Sequence, residues 1–279
     1  MLSAALVAVA CGRARLWGGV AKVARAMDFK LTPPVLYVFA ISHYCEKARW
    51  ALDYLGIEYE LRHLPPGAHM QVTKQLGAAG SSLPLLVSQE RVVHGSGEII
   101  AWAESAVADS SKRLSPDFEF QEECRALEQR LDNVAGVHVR RYYYSEAIVD
   151  HPDSVRPIFT RDLGPSERRA LDENWALVRQ LMMGAMDLGP DQRQESRRIV
   201  EGELEWFDGL LTDDRRFLLG DRFSRADLTA ASLLAPLALP KEHPTYGVLE
   251  VPPQARADLA LWAGRPTLAW VRRIYREHR

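Results

Sequence analysis

Val35-Leu36-Tyr37-Val38-Phe39-Ala40-Ile41-Ser42-His43-Tyr44-Cys45-Glu46-Lys47-Ala48-Arg49-Trp50 passes from a short apolar run through a polar turn into a helical pattern. The segment from Val35 to Ile41, β-branched in part, suits a buried strand. From Lys47 to Leu55 the apolar residues Ala48, Trp50, Ala51, Leu52 and Leu55 recur at helical spacing. Ser42 is then the N-cap or the residue just before it, with Cys45 one turn on. A hydroxyl and a thiol thus stand at a helix N-terminus, where free backbone N–H groups and the helix dipole favour an anion such as a thiolate.

Other segments extend this unit. Ser81-Ser82-Leu83-Pro84-Leu85-Leu86-Val87 is an apolar run broken by a proline, which a central strand accepts only at a special bend. Val92-Val93-His94-Gly95-Ser96-Gly97-Glu98-Ile99-Ile100-Ala101-Trp102 turns from strand to helix through glycine and serine. Far downstream, Phe217-Leu218-Leu219-Gly220-Asp221-Arg222-Phe223-Ser224-Arg225-Ala226-Asp227-Leu228 reads as a helix start. Ser224 caps it, Asp227 reaches back in a capping box, and Phe223 sits at the staple position.

At these residues, in this order, the chain resembles the glutathione S-transferase family over roughly residues 35 to 236. The resemblance implies an α/β plus all-α architecture: a thioredoxin-like N-terminal domain over 35–108 that binds glutathione, and an all-helical C-terminal domain over 117–279 that holds the substrate. It implies a glutathione transferase, with glutathione as co-substrate, an apolar electrophilic small molecule as partner, and a homodimer.

Ser42 falls where serine-type members activate glutathione. The same frame resembles the Cys-Pro-Tyr-Cys of glutaredoxins, with Ser42 for the first cysteine, His43 for the proline, and Tyr44 and Cys45 retained. A serine donates a hydrogen bond to a thiolate but forms no disulfide with it. Pro84 corresponds to the family's cis-proline, and the backbone of Leu83 to the group that pairs with the cysteinyl part of glutathione. Ser96 corresponds to the serine that grips the γ-glutamyl end. Gly95 stands where members usually carry an acid, and Glu98 or a second subunit is left to compensate. The helix bearing Arg140-Arg141-Tyr142-Tyr143-Tyr144 corresponds to one lining the electrophile's pocket, which nominates Tyr143 as a substrate contact; Tyr44, beside the active-site serine, is a further candidate contact through its phenolic hydroxyl, or else packs its ring between the domains.

The residues themselves leave alternatives open. Ser42 is a helix cap or a catalytic hydroxyl. Cys45 is a small buried hydrophobe, or a thiol of lowered pKa near Lys47 and Arg49 that carries a mixed disulfide in a thiol transferase or reductase. The tyrosines, and Met182, Met183 and Met186, either line a pocket or pack between helices. A third reading, favoured by Gly95, is a non-catalytic ligand- or partner-binding protein.

Composition narrows the classes. A chain of 279 residues with 47% hydrophobic content favours two modest cores. A formal net charge of -2 gives no electrostatic case for nucleic acid or a membrane surface. The three cysteines, Cys11, Cys45 and Cys124, are too scattered for a disulfide framework or zinc site and fit a reducing, cytoplasmic setting. Residues 1–34 read as a leader, disordered or targeting. Met1 to Ala26 carries Arg13, Arg15, Lys22 and Arg25 and no acid, which allows organelle import, whereas Met27 also reads as a start. A second strand is expected over Ile57–Leu61 and a short helix within Ala68–Gly77, with a connection from Ser105 to Pro116. Helices are expected near Asp117–Tyr144, Ser166–Leu188, Asp191–Leu211, Ser224–Leu239 and Pro253–Glu277.

Overall fold

The structure, a computed structural model, describes residues 33–108 and 112–279. The expected leader lies outside the described residues apart from its last two positions. Strand β1 (Val35–Val38) is buried along its whole length. Helix α1 (His43–Tyr54) follows it, then β2 (Glu60–His63), α2 (His69–Gln75), β3 (Leu85–Val87), β4 (Val92–His94) and α3 (Ser96–Ala106). The sheet order is β2-β1-β3-β4. β1 and β2 run parallel, with Leu36 opposite Leu61; β3 runs antiparallel to both β1 and β4, with Leu86 opposite Leu36 and Val93. This is the thioredoxin-like layer. β2 begins at Glu60 rather than Ile57 because pairing with β1 starts at Val35↔Glu60.

The remainder is helical: α4 (Gln121–Arg130), α5 (Gly136–Ala147), α6 (Pro152–Thr160), α7 (Pro165–Glu173), α8 (Trp175–Met186), α9 (Pro190–Leu210), α10 (Arg225–Ala238), α11 (Pro253–Trp262) and α12 (Pro266–His278). α4 and α5 form one long rod, as its apolar pattern suggests, but a π-helical turn over Leu131–Ala135 interrupts it. α6 was not foreseen. Pro152 at its start and Pro157 inside it read as breaks, whereas Val155, Ile158 and Phe159 place a buried face at helical spacing. The expected helix over Ser166–Leu188 divides at Asn174, and that over Pro253–Glu277 divides before Pro266, which takes a first-turn position where its missing N–H costs nothing.

Two apolar clusters form. The larger joins the sheet, α1 and α3 to α10 and α12; the smaller gathers Ile148, Val155, Phe159, Leu171, Trp175 and neighbours under α6 to α8. The capping box at α10 is present: the Asp227 carboxylate accepts the N–H groups of Leu218 at 2.7 Å and Ser224 at 2.9 Å. Burial pushes this carboxyl up to about 6 despite those bonds.

Helix α1 is held from several sides. The fully buried ammonium of Lys47 pairs with Asp132 at 3.0 Å and Glu128 at 3.5 Å, both on the long rod. Trp50 Nε1 donates to the His278 carbonyl at 2.8 Å, and Arg279 grips Glu46 at 2.6 Å and Asp53 at 2.7 Å. Breaking a buried pair of this kind typically costs about 3–5 kcal/mol, so these ion pairs fix how α1 presents its first turn.

Candidate functional site

The first turn of α1 borders a cavity of about 370 Å³ between the sheet and the helical region. Ser42 is the N-cap, and its Oγ accepts the Cys45 N–H at 3.3 Å. That bond uses a lone pair of the oxygen and leaves the hydroxyl hydrogen to be donated. Ser42, His43 and Tyr44 line it from the start of α1, Ser82 and Leu83 from the loop before Pro84, and Tyr143, Tyr144, Met182 and Met186 from the helical region. The peptide between Leu83 and Pro84 is cis, as the resemblance implies.

Cys45 is not on that wall. It is 1% exposed, its Sγ accepts the Phe39 N–H at 3.4 Å, and burial pushes the thiol up to about 11. Ser42 and Arg49 pull the other way without overcoming desolvation. A thiol of lowered pKa at the helix start is therefore not what the fold provides.

Pro84, Gly95 and Ser96 also stand back from the cavity but adjoin it: the Gly95 N–H donates to the Pro84 carbonyl at 3.1 Å. Gly95 has φ +95°, a left-handed conformation strained for any residue with a Cβ, so the absent acid has a local reason. Ser96 opens α3 and is buried; Glu98, in the same first turn, is exposed. His94 braces the loop before Pro84, its Nε2 lying 2.9 Å from both the Oγ and the carbonyl oxygen of Ser82.

The three tyrosines part ways. Tyr142 faces inward and donates to Asp258 at 2.7 Å. Tyr143 lines the cavity with its ring while its hydroxyl donates to the Pro236 carbonyl at 2.6 Å, and Tyr144 lines it too. Met182 and Met186 are on the wall and Met183 is not, while all three pack against the smaller cluster.

Tyr44 does two jobs. Its ring is on the wall, and its hydroxyl donates to the Asp132 carbonyl at 2.6 Å within the π-helical turn. A π-turn displaces backbone carbonyls from their usual partners and occurs often at functional sites. Beside it, His43 Nε2 lies 3.1 Å from the Gly136 carbonyl, and burial pushes its imidazole down to about 3. A Cβ at Gly136 would come within 2.6 Å of Tyr44 Oη.

Among the wall residues that escaped sequence reasoning are His43, taken as a substitute for proline, and Arg140. Arg140 belonged to a run already noted as unusual, but adjacent arginines on a helix diverge by about 100°. Arg141 binds Asp187 and Glu195, whereas Arg140 faces the cavity.

Comparison with known proteins agrees with this geometry. Residues 36–111 match the family model of the glutathione S-transferase N-terminal domain. Among solved structures, a glutathione transferase of Phanerochaete chrysosporium aligns with TM-score 0.61 at 19% identity, over 90% of this chain and 98% of that one. A beta-etherase of Sphingobium aligns with TM-score 0.55 at 18% identity, over 86% and 98%. A glutathione S-transferase of Sinorhizobium meliloti aligns with TM-score 0.54 at 21% identity, over 87% and 88%. No curated protein matches the chain significantly in sequence. Residues 36–111 thus match that N-terminal domain, and with the helical region behind it the chain has the glutathione S-transferase fold. Among the described residues no acidic, histidine or cysteine cluster fits a metal ion, and no helix is long and apolar enough to cross a membrane.

Proposed function

We propose that the protein is a glutathione transferase in which Ser42 activates the thiol. The observation that carries the reading is the position of Ser42: it is the N-cap of α1 and lines the same cavity as Leu83. Glutathione lies along the sheet edge with its cysteinyl backbone paired with Leu83 and its γ-glutamyl end near Ser96. Ser42 donates a hydrogen bond to the sulfur, and the helix start adds electrostatic support. Lowering the thiol pKa by about two units requires roughly 2.7 kcal/mol of preferential stabilisation of the anion. One charge-assisted hydrogen bond supplies about 1.5–3 kcal/mol.

The thiol proton leaves to solvent and the thiolate attacks an electrophilic carbon in the cavity. A carbon–sulfur bond forms as the bond to the leaving group breaks, its electron pair departing with that group. Tyr44 and Tyr143 contact the apolar body of this second substrate. The enzyme acts as a homodimer in the cytoplasm, in the domain arrangement given above.

Burial and a raised pKa count against a mixed disulfide at Cys45. The test is the thiolate absorbance of glutathione titrated against pH with wild type and Ser42→Ala. A bound thiol pKa well below the free value, restored in the variant, is expected. Unchanged pH behaviour in the variant removes Ser42 from the mechanism, and failure to bind glutathione at all points to a non-catalytic binding protein.

A further inference from the structure

Among the described residues Arg140 is the one arginine or lysine lining a mostly apolar cavity. Its Nε is buried and has no hydrogen-bond partner, and its guanidinium forms no ion pair among the described residues. The neighbouring Arg141, by contrast, is met by Asp187 at 2.5 Å and Glu195 at 2.7 Å. Among the described residues the one carboxylate on the cavity wall is Glu250, which is exposed and forms no ion pair with Arg140. His43 and His69, also on the wall, are pushed down to about 3 and about 4 by burial, so they add no competing charge near neutrality. Tyr246 Oη, on another lining residue, is likewise buried without a partner.

A half-buried cation without an anion is costly, and a planar guanidinium fork matches the two oxygens of a carboxylate. The surrounding aromatic rings and methionines suit a flat apolar body. We propose that Arg140 anchors a carboxylate on the second substrate, so that the preferred electrophiles are aromatic or apolar acids rather than neutral compounds. This rests on the transferase reading for the existence of a second substrate, but the anion site itself can be tested without turnover.

The experiment is calorimetric binding of 3,5-dinitrobenzoate and of its methyl ester to the full chain, with wild type, Arg140→Gln and Arg140→Lys. Wild type is expected to bind the acid at least tenfold more tightly than the ester. Arg140→Gln removes that preference, and Arg140→Lys, which keeps a point charge but not the fork, retains part of it. Equal affinity for acid and ester in wild type, or a preference that survives in Arg140→Gln, overturns the proposal.

Turnover of 4-chloro-3,5-dinitrobenzoate and its methyl ester with glutathione separates the two readings. In each, the glutathione sulfur bonds to the ring carbon and chloride leaves. An acid-over-ester ratio of kcat/KM that collapses in Arg140→Gln supports both. Binding preference without turnover keeps the anion site and sinks the enzymatic reading. A shifted pKa of bound glutathione in Arg140→Gln, with acid-over-ester preference intact, assigns the arginine to the thiolate and overturns the substrate role.

Discussion

Gly136→Ala tests the joint between α1 and the long rod. By helix propensity alone the change should stabilise, since glycine in a helix costs about 1 kcal/mol relative to alanine. Gly136 has no room for it: the new Cβ would lie 2.6 Å from Tyr44 Oη, 3.0 Å from its Cζ and 3.2 Å from the Leu131 carbonyl oxygen. Tyr44 must move, and its 2.6 Å bond to the Asp132 carbonyl is lost. Stranding that partly buried donor costs about 1–3 kcal/mol, which outweighs the propensity gain. A net loss of up to about 2 kcal/mol follows, or up to roughly 8 °C in Tm for a chain of this size. In a Tyr44→Phe background the closest clashing atom is gone while the ring carbon and the Leu131 carbonyl oxygen remain, so the alanine should cost less there than in wild type. Thermal denaturation of the four proteins gives the coupling, expected at about 1–3 kcal/mol. If Gly136→Ala raises Tm in wild type, or costs the same with Tyr44 as with Phe, the contact does not hold the joint.

Two further outcomes follow from buried polar groups. Asp227→Ala strands the Leu218 and Ser224 N–H groups and removes the cap of α10, so chemical denaturation should show a loss of about 3 kcal/mol; a loss under 1 kcal/mol rejects the role. Acid should destabilise the fold: His43, His69 and His243 are pushed down to about 3, 4 and 3 by burial, so the unfolded chain binds their protons first. Their contribution is full above about pH 6.5 and is lost as pH falls towards 3, while Asp227, raised to about 6, opposes the trend between 6 and its ordinary value. Tm measured against pH should therefore be less steep in His43→Gln than in wild type, and identical slopes would exclude a neutral buried imidazole at 43.

Local order was legible where a segment carries its own instructions. The apolar run of β1, the N-cap at Ser42 and the capping box of Ser224 and Asp227 depend on neighbours within a few residues, and each stands where its residues predict. Boundaries were less so: Pro157 lies inside α6, and Asn174 divides α7 from α8, because packing of the smaller cluster overrides local preference. Which face of an element looks into the site was beyond sequence altogether.

Ser42 and Cys45 are three residues apart, yet one borders the cavity and the other is buried behind it. Arg140 and Arg141 are chemically alike, but among the described residues it is Arg141 that meets acids, on a loop and helix more than forty residues away. The sequence by itself determined the strand-turn-helix unit and its capped serine, since those rest on periodicity and short-range hydrogen bonds, while its resemblance to a known family implied the thioredoxin-like and helical halves. Only the tertiary structure decided that the thiol is buried, that Tyr44 locks into a π-turn, and that one arginine is left facing an apolar cavity. These depend on partners brought together from distant parts of the chain, and no local pattern encodes which partner will arrive.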